Sequence, residues 1–365
     1  MSAPTGAANA ARVVVAGGGT GGHLYPGLAL ADALAARGIA VTFAGTLGGI
    51  EVRAVPAAGY PLRCLPGRQL RGGGAGRALV GLASAMRGTV HALGLLGELR
   101  PDLVVGVGGY ASVSLVVAAW LRRIPTLLLE QNVVPGAANR LLARLAGRVC
   151  VGFAETEACF PGGRAVHTGN PVRADVLRGR PAPLAERLGL LVFGGSAGAH
   201  RLNEAALEAL RLLGPATRAL DVTHQSGEAD LATVRAGYAA LGLAARVEPF
   251  IVDMGGAYAR AHLVIARAGA MTCAEVTALG LPAILVPYPY AADDHQRRNA
   301  EALVRGGAAE MILDRELTGE RLAAGVRALA DDRERRGAMA VRARALGRPD
   351  AAERVTEECL RLLAA

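Results

Sequence analysis

The sequence predicts two Rossmann-like α/β domains in tandem, each a doubly wound parallel sheet. Three observations carry this expectation. Short β-branched runs alternate with helical stretches, and the alternation restarts past mid-chain. Each series opens on a glycine-rich turn that follows a strand and precedes a helix. The chain also has 365 residues, too many for one ordinary core, since domains typically hold about 100–200.

In the first series, Arg12–Ala16 reads as a strand, followed by a glycine turn and a helix over Pro26–Arg37. Val41–Ala44 leads to a helix over Ile50–Ala58. Leu103–Leu121 carries no charge and could be mistaken for a membrane span, but Gly106, Gly108 and Gly109 interrupt it. A strand over Leu103–Val107 and a helix from Ala111 are expected instead. Thr126–Leu129 and Ala137–Arg144 complete the series. After the Gly/Pro/Arg-rich stretch Gly169–Pro183, the second series has strands at Leu190–Phe193, Ala219–Thr223, Val247–Phe250, Leu263–Ala266 and Ala283–Pro287. Ligands of open α/β sheets bind at the carboxyl ends of the strands, so two such domains facing one another would place the site in the cleft between them.

Composition narrows the chemistry. The net charge of +9 comes from arginine alone, because the chain has no lysine. That excludes the lysine of an ordinary P-loop and Schiff-base catalysis, while the basic balance favours anionic partners. The five cysteines contain no C-x-x-C pair, which argues against a zinc site or a disulfide framework and for cytosolic thiols. The first residues lack the apolar core of a signal peptide.

Gly17, Gly19 and Gly22 spell G-x-G-x-x-G. Backbone N–H groups of such a turn, at a helix N-terminus, can meet an anion or a sugar oxygen. The second strand ends at Phe43–Thr46 with no acid to hold an adenosine ribose, which weakens a nicotinamide reading. His23 opens the helix, where the helix N-terminus keeps an imidazole neutral and able to act as a base; a packing role is the alternative. A second turn over Val192–His200 contains Ser196, and Arg173 precedes that domain with a guanidinium suited to phosphate. Ala266–Pro289 reads as strand, turn at Gly269, helix and strand. Glu275, one turn into that helix, could accept both hydroxyls of a ribose. Asp293, Asp294 and His295 lack the spaced carboxylates of a metal site and read as a helix start with Gln296 aimed at a sugar.

In order, the stretches Gly18–His23, Gly106–Tyr110, Glu130–Asn132, Thr168–Arg173, Gly194–Ala199, His224–Gly227, Arg267–Glu275 and Asp293–Ala300 make the chain similar to the MurG family. These are GT-B-fold transferases of N-acetylglucosamine to undecaprenyl-pyrophosphoryl-MurNAc-pentapeptide, and the resemblance runs from about Val13 to the last helix. It implies the inverting transfer of GlcNAc from UDP-GlcNAc to the C4 hydroxyl of that lipid, without cofactor or metal and with no nucleic-acid partner. It further implies an acceptor domain of residues 1–173 plus about 350–365 and a UDP-GlcNAc domain of 174–349. Carried over by motif, Thr20, Gly21, Gly22 and Asn132 face the sugar and phosphates, and Arg173 and Ser196 contact the nucleotide. The backbone of Ile251 reads uracil, while Ala270, Met271, Thr272, Cys273, Ala274 and Glu275 hold diphosphate and ribose. Gln296 touches GlcNAc, and His23 is the expected base. Ala197, where many relatives carry glutamine, and His295, where some carry a second one, depart from the pattern.

A polyprenyl acceptor implies peripheral attachment at the cytoplasmic face of an anionic inner membrane, with other cell-wall synthesis proteins as expected neighbours. Arg68–Leu93 is the expected surface: Leu79, Leu82, Met86, Val90 and Leu93 recur at helical spacing beside Arg68, Arg71, Arg77 and Arg87. A core-facing helix would show the same spacing. A GT-B transferase for another acceptor, a nicotinamide oxidoreductase and a non-catalytic membrane scaffold are the rival readings.

Overall fold

The computed structural model of the chain describes residues 10–65, 75–160, 162–182, 187–195 and 198–365, with the backbone alone for 75–85 and 110. It divides into two compact units, Met1–Pro171 with Asp350–Ala365, and Val172–Pro349.

The first unit runs β1 (Arg12–Gly17), α1 (Gly21–Ala35), β2 (Ala40–Thr46), α2 (Glu51–Ala57), β3 (Leu62–Leu65), α3 (Ala75–Leu99), β4 (Leu103–Gly108), α4 (Tyr110–Leu121), β5 (Thr126–Glu130), α5 (Ala137–Leu142), β6 (Arg148–Val151) and β7 (Ala165–His167). All seven strands are parallel, in the order β3-β2-β1-β4-β5-β6-β7. Because helices cover both faces, the central strands are apolar on both sides. Val13 and Val15 enter one core with Leu103, Val105 and Val107, while Val14 and Ala16 enter the other with Val104 and Leu128. The charge-free stretch is thus β4, a glycine turn and α4. Among the described residues, no helix is long and apolar enough to cross a membrane.

The second unit runs α6 (Ala174–Arg178), β8 (Leu188–Phe193), α7 (His200–Leu213), β9 (Leu220–Gln225), α8 (Leu231–Ala240), β10 (Ala245–Glu248), α9 (Met254–Arg260), β11 (Leu263–Ala266), α10 (Ala270–Leu279), β12 (Ala283–Leu285), α11 (His295–Arg305), β13 (Ala309–Met311), α12 (Gly319–Asp331) and α13 (Arg333–Leu346). Its parallel sheet has the order β10-β9-β8-β11-β12-β13. The tenth strand ends two residues before the position read from sequence. Pro249 cannot donate to a ladder, and its carbonyl is taken by Gly227 N–H and, at 3.1 Å, by Gln225 Nε2.

The last helix, α14 (Ala351–Leu363), packs on α1 of the first unit. Val355 and Cys359 enter its core. Glu357 pairs with Arg37 and Glu358 with Arg148, both at 3.1 Å.

Candidate functional site

Strand order reverses between β1 and β4 in one sheet and between β8 and β11 in the other. Such switch points leave a crevice at the carboxyl ends of the strands. Every predicted glycine turn sits at one of these ends.

In the first unit, the turn between β1 and α1 needs glycine. Gly19 has φ 86°, and a Cβ on Gly109, in the neighbouring turn, would stand 2.7 Å from Gly18 O. Thr20 caps α1 in extended conformation without a side-chain bond, and no acid occupies the first turn. The exposed backbone of Gly22 and the half-exposed backbone of Gly21 therefore lie at a helix N-terminus that carries partial positive charge.

A buried carboxylate holds this turn. Glu51, only 1% exposed, accepts from Gly19 N–H at 2.8 Å and from Thr46 N–H at 3.0 Å and Oγ1–H at 2.9 Å. Burial alone would raise its pKa, but the backbone N–H groups of Gly19, Thr46 and Glu51 itself, with the Thr46 hydroxyl, hold it below the usual value.

His23 lies over Gly108, where an added Cβ would stand 2.6 Å from Nδ1. Its Nδ1 is 3.3 Å from Gln131 Oε1, and Gln131 Nε2 donates to Val107 O at 3.0 Å. With its NH₂ committed to that carbonyl, the amide presents oxygen to the ring. Nδ1 therefore carries the hydrogen and Nε2 of the neutral ring carries the lone pair.

Asn132 is partly buried beside Gln131. Its N–H donates at 3.0 Å to Oε1 of the buried Glu130, whose Oε2 accepts from Gly136 N–H and Asn139 Nδ2. Glu130 thereby fastens the loop that presents Asn132.

In the second unit, Ser196 and Ala197 lie outside the described residues. The flanking Gly195 and Gly198 have φ 90° and 75°, and a Cβ at Gly198 would come within 2.6 Å of Ser226 O. The N-cap of α10 is Gly269, without a side-chain cap. Thr272, Ala274 and Glu275 are partly exposed, whereas Ala270, Met271 and Cys273 are buried. Burial pushes the Cys273 thiol up to about 12, and its N–H donates to Gly269 O.

Glu275 Oε2 accepts from Tyr258 O–H at 2.7 Å. Burial raises the Glu275 carboxyl to about 7, opposed by the Tyr258 hydrogen bond and by Arg173 and assisted by Asp175. Arg173 is the N-cap of α6 and lies 3.4 Å from Asp175. Ile251 is buried between the exposed Phe250 and Val252. Gln296 Oε1 accepts from Tyr288 N–H at 2.9 Å, which fixes the amide carbonyl on that backbone group.

Arg267 opens the stretch Arg267–Glu275, and nothing in the sequence marks a role for it. Its Nη1 donates to Val286 O, to Pro287 O and, at 2.6 Å, to Asp314, whose other oxygen accepts from Arg201. This pins the segment leading to Tyr288 and Gln296. Glu51, Gln131 and Tyr258 were also missed, because each acts on a partner remote in sequence. Only Glu51 offers a signal, as an acid shortly after Gly48 and Gly49.

Residues 13–151 match the glycosyltransferase family 28 N-terminal domain and residues 189–355 its C-terminal domain. The chain is 46% identical to UDP-N-acetylglucosamine–N-acetylmuramyl-(pentapeptide) pyrophosphoryl-undecaprenol N-acetylglucosamine transferases of Pelobacter propionicus and Myxococcus xanthus, over 96% of its length and 99% and 93% of theirs. Among solved structures, it is similar to Acinetobacter baumannii MurG, with a TM-score of 0.79, 34% identity, and coverage of 96% of this chain and 99% of that one. The calicheamicin glycosyltransferase CalG4 shares the fold at 18% identity and a TM-score of 0.71, over 98% of this chain and 99% of that one.

Proposed function

The chain belongs to glycosyltransferase family 28 and, within it, to the UDP-N-acetylglucosamine–N-acetylmuramyl-(pentapeptide) pyrophosphoryl-undecaprenol N-acetylglucosamine transferases, and on that footing we propose which residues perform its reaction. The fold is GT-B. The reaction transfers GlcNAc from UDP-GlcNAc to the C4 hydroxyl of lipid I, inverting the anomeric carbon and forming lipid II for peptidoglycan synthesis.

The first unit handles the attacking hydroxyl. As the acceptor O4 forms its bond to the anomeric carbon, His23 Nε2 takes the O4 proton, and the bond to the UDP phosphate oxygen breaks on the opposite face. The hydrogen bond to Gln131 favours the tautomer this requires. Such general-base assistance is typically worth about 10²- to 10⁴-fold in rate. Thr20, Gly21, Gly22 and Asn132 orient the sugar and its phosphates.

The second unit holds the nucleotide. The N-terminus of α10, with Ala270–Glu275, and Arg173 meet the charge that grows on departing UDP, the work a divalent cation does in other transferases. Ser196 adds a hydroxyl, the Ile251 backbone reads uracil, Glu275 accepts the ribose hydroxyls and Gln296 meets GlcNAc. The observation that carries this division is the pair of helix N-termini without side-chain caps, α1 and α10, each beside the switch point of its own sheet. Incubation with radiolabelled UDP-GlcNAc and a lipid-linked muramyl peptide, with other UDP-sugars as controls, tests it.

The lipid acceptor calls for peripheral docking at the cytoplasmic face of the cell membrane. Met86 and Val90 are 57% and 67% exposed, one turn apart on α3 with exposed Arg87 beside them. Arg68 and Arg71 lie outside the described residues, as do the side chains of Arg77, Leu79 and Leu82. Leu93, expected on the same surface, instead packs against the core. Neighbouring α4 ends in half-exposed Trp120 and Leu121, followed by exposed Arg122 and Arg123. This mixture of apolar and basic groups suits an anionic leaflet.

A further inference from the structure

Glu275 has a long side chain with several rotamers, yet a ribose ligand needs its carboxylate in one place. Tyr258 supplies the constraint. It is fully buried, and its ring meets Phe193 edge-on, with centroids 6.1 Å apart and planes at 81°. The hydroxyl at the end of this fixed ring donates to Glu275 Oε2 at 2.7 Å. We infer that Tyr258 is the positioning residue for the donor's ribose, holding Glu275 so that its remaining lone pairs accept the 2′ and 3′ hydroxyls of the uridine nucleotide.

This inference rests on the reading of Glu275 as the ribose ligand. A carboxylate has about four acceptor sites. Tyr258 occupies one and leaves enough for two hydroxyl donors. The phenol remains a donor at neutral pH, because burial and the neighbouring Glu275 push its pKa well up. The groups acting on Glu275 are Tyr258 from α9 and Arg173 and Asp175 from the start of α6. Tyr258 and Arg173 favour the ionised carboxylate, whereas burial and Asp175 oppose it. Removing the phenol therefore frees the side chain and pushes its pKa above about 7. A protonated carboxyl would turn an O–H toward hydroxyls that must themselves donate. Donor affinity should consequently rise with pH through about 7 in the native enzyme, and in Tyr258→Phe that rise should move to higher pH.

The test is calorimetric binding of UDP and 2′,3′-dideoxy-UDP across pH 6–9 (about three units spanning the carboxyl transition), using the full-length native enzyme, Tyr258→Phe and Glu275→Gln. Phenylalanine keeps the ring contact with Phe193, and thermal unfolding checks that the fold is retained. At neutral pH, Tyr258→Phe is expected to weaken UDP by about 5- to 10-fold, the range of one net hydrogen bond, while dideoxy-UDP is nearly unaffected. In transfer assays donor KM rises and kcat at saturating donor is retained. Equal losses for UDP and dideoxy-UDP, or native UDP affinity in Tyr258→Phe at every pH, overturn the role of Tyr258. If Glu275→Gln binds UDP as the native enzyme does, the ribose reading fails and the inference falls with it. If Glu275→Gln weakens UDP and Tyr258→Phe does not, only the inference about Tyr258 fails.

Discussion

His23 Nδ1 faces Gln131 Oε1 at 3.3 Å, and the same amide is anchored at its other end by a 3.0 Å bond to Val107 O. One glutamine thus joins the end of β4 to the ring proposed as the base and sets its tautomer. Gln131→Leu removes that control without removing the imidazole. The expected result is a kcat loss smaller than the roughly 10²- to 10⁴-fold expected for His23→Ala, with donor KM unchanged. Steady-state kinetics on both variants checks the order.

Glu51 holds the glycine turn through N–H donors on both carboxylate oxygens. In Glu51→Gln, one oxygen becomes an NH₂ that must face an N–H. Leaving such a buried donor unsatisfied costs about 1–3 kcal/mol. The variant should therefore unfold at lower temperature by calorimetry and transfer more slowly, while the second unit's affinity for UDP is retained.

Asp314 accepts from Arg267 at 2.6 Å and from Arg201 at 2.9 Å. Asp314→Ala leaves the Arg267 guanidinium buried without its counter-charge, a loss of about 3–5 kcal/mol. Because Arg267 also pins Val286 and Pro287, donor KM should rise along with the loss of stability measured in urea.

Membrane retention should depend on Met86, Val90 and Arg87. Replacing Met86 and Val90 with serine, or Arg87 with glutamine, should reduce retention on vesicles containing anionic lipid, by about fivefold for the single arginine at roughly 1 kcal/mol per charge. The arginine effect should vanish at high salt, whereas the apolar one should persist.

The strands and glycine turns were legible because a buried parallel strand must be apolar on both faces, as in Val13–Ala16 and Leu263–Ala266. Shorter or half-exposed strands were not. Leu62–Leu65 has two consecutive exposed residues, Arg63 and Cys64, and so shows no period of two, and Ala309–Met311 is too brief to show a period. The first helix begins at Gly21 rather than Pro26. A proline commonly marks a helix start, but here it sits inside the helix opened by the glycine turn. Residues predicted to touch ligands could be found in contiguous motifs. The residues holding those motifs could not, because Glu51 reaches back 32 positions to Gly19 and Gln131 reaches 108 to His23.

The account depends most on the separation of nucleotide capture from proton removal, and one preparation of His23→Ala tests it directly. UDP affinity by calorimetry should match that of the native enzyme, while GlcNAc transfer from UDP-GlcNAc to lipid I falls by at least about 10²-fold. Transfer at the native rate, or loss of UDP binding in step with transfer, would contradict it.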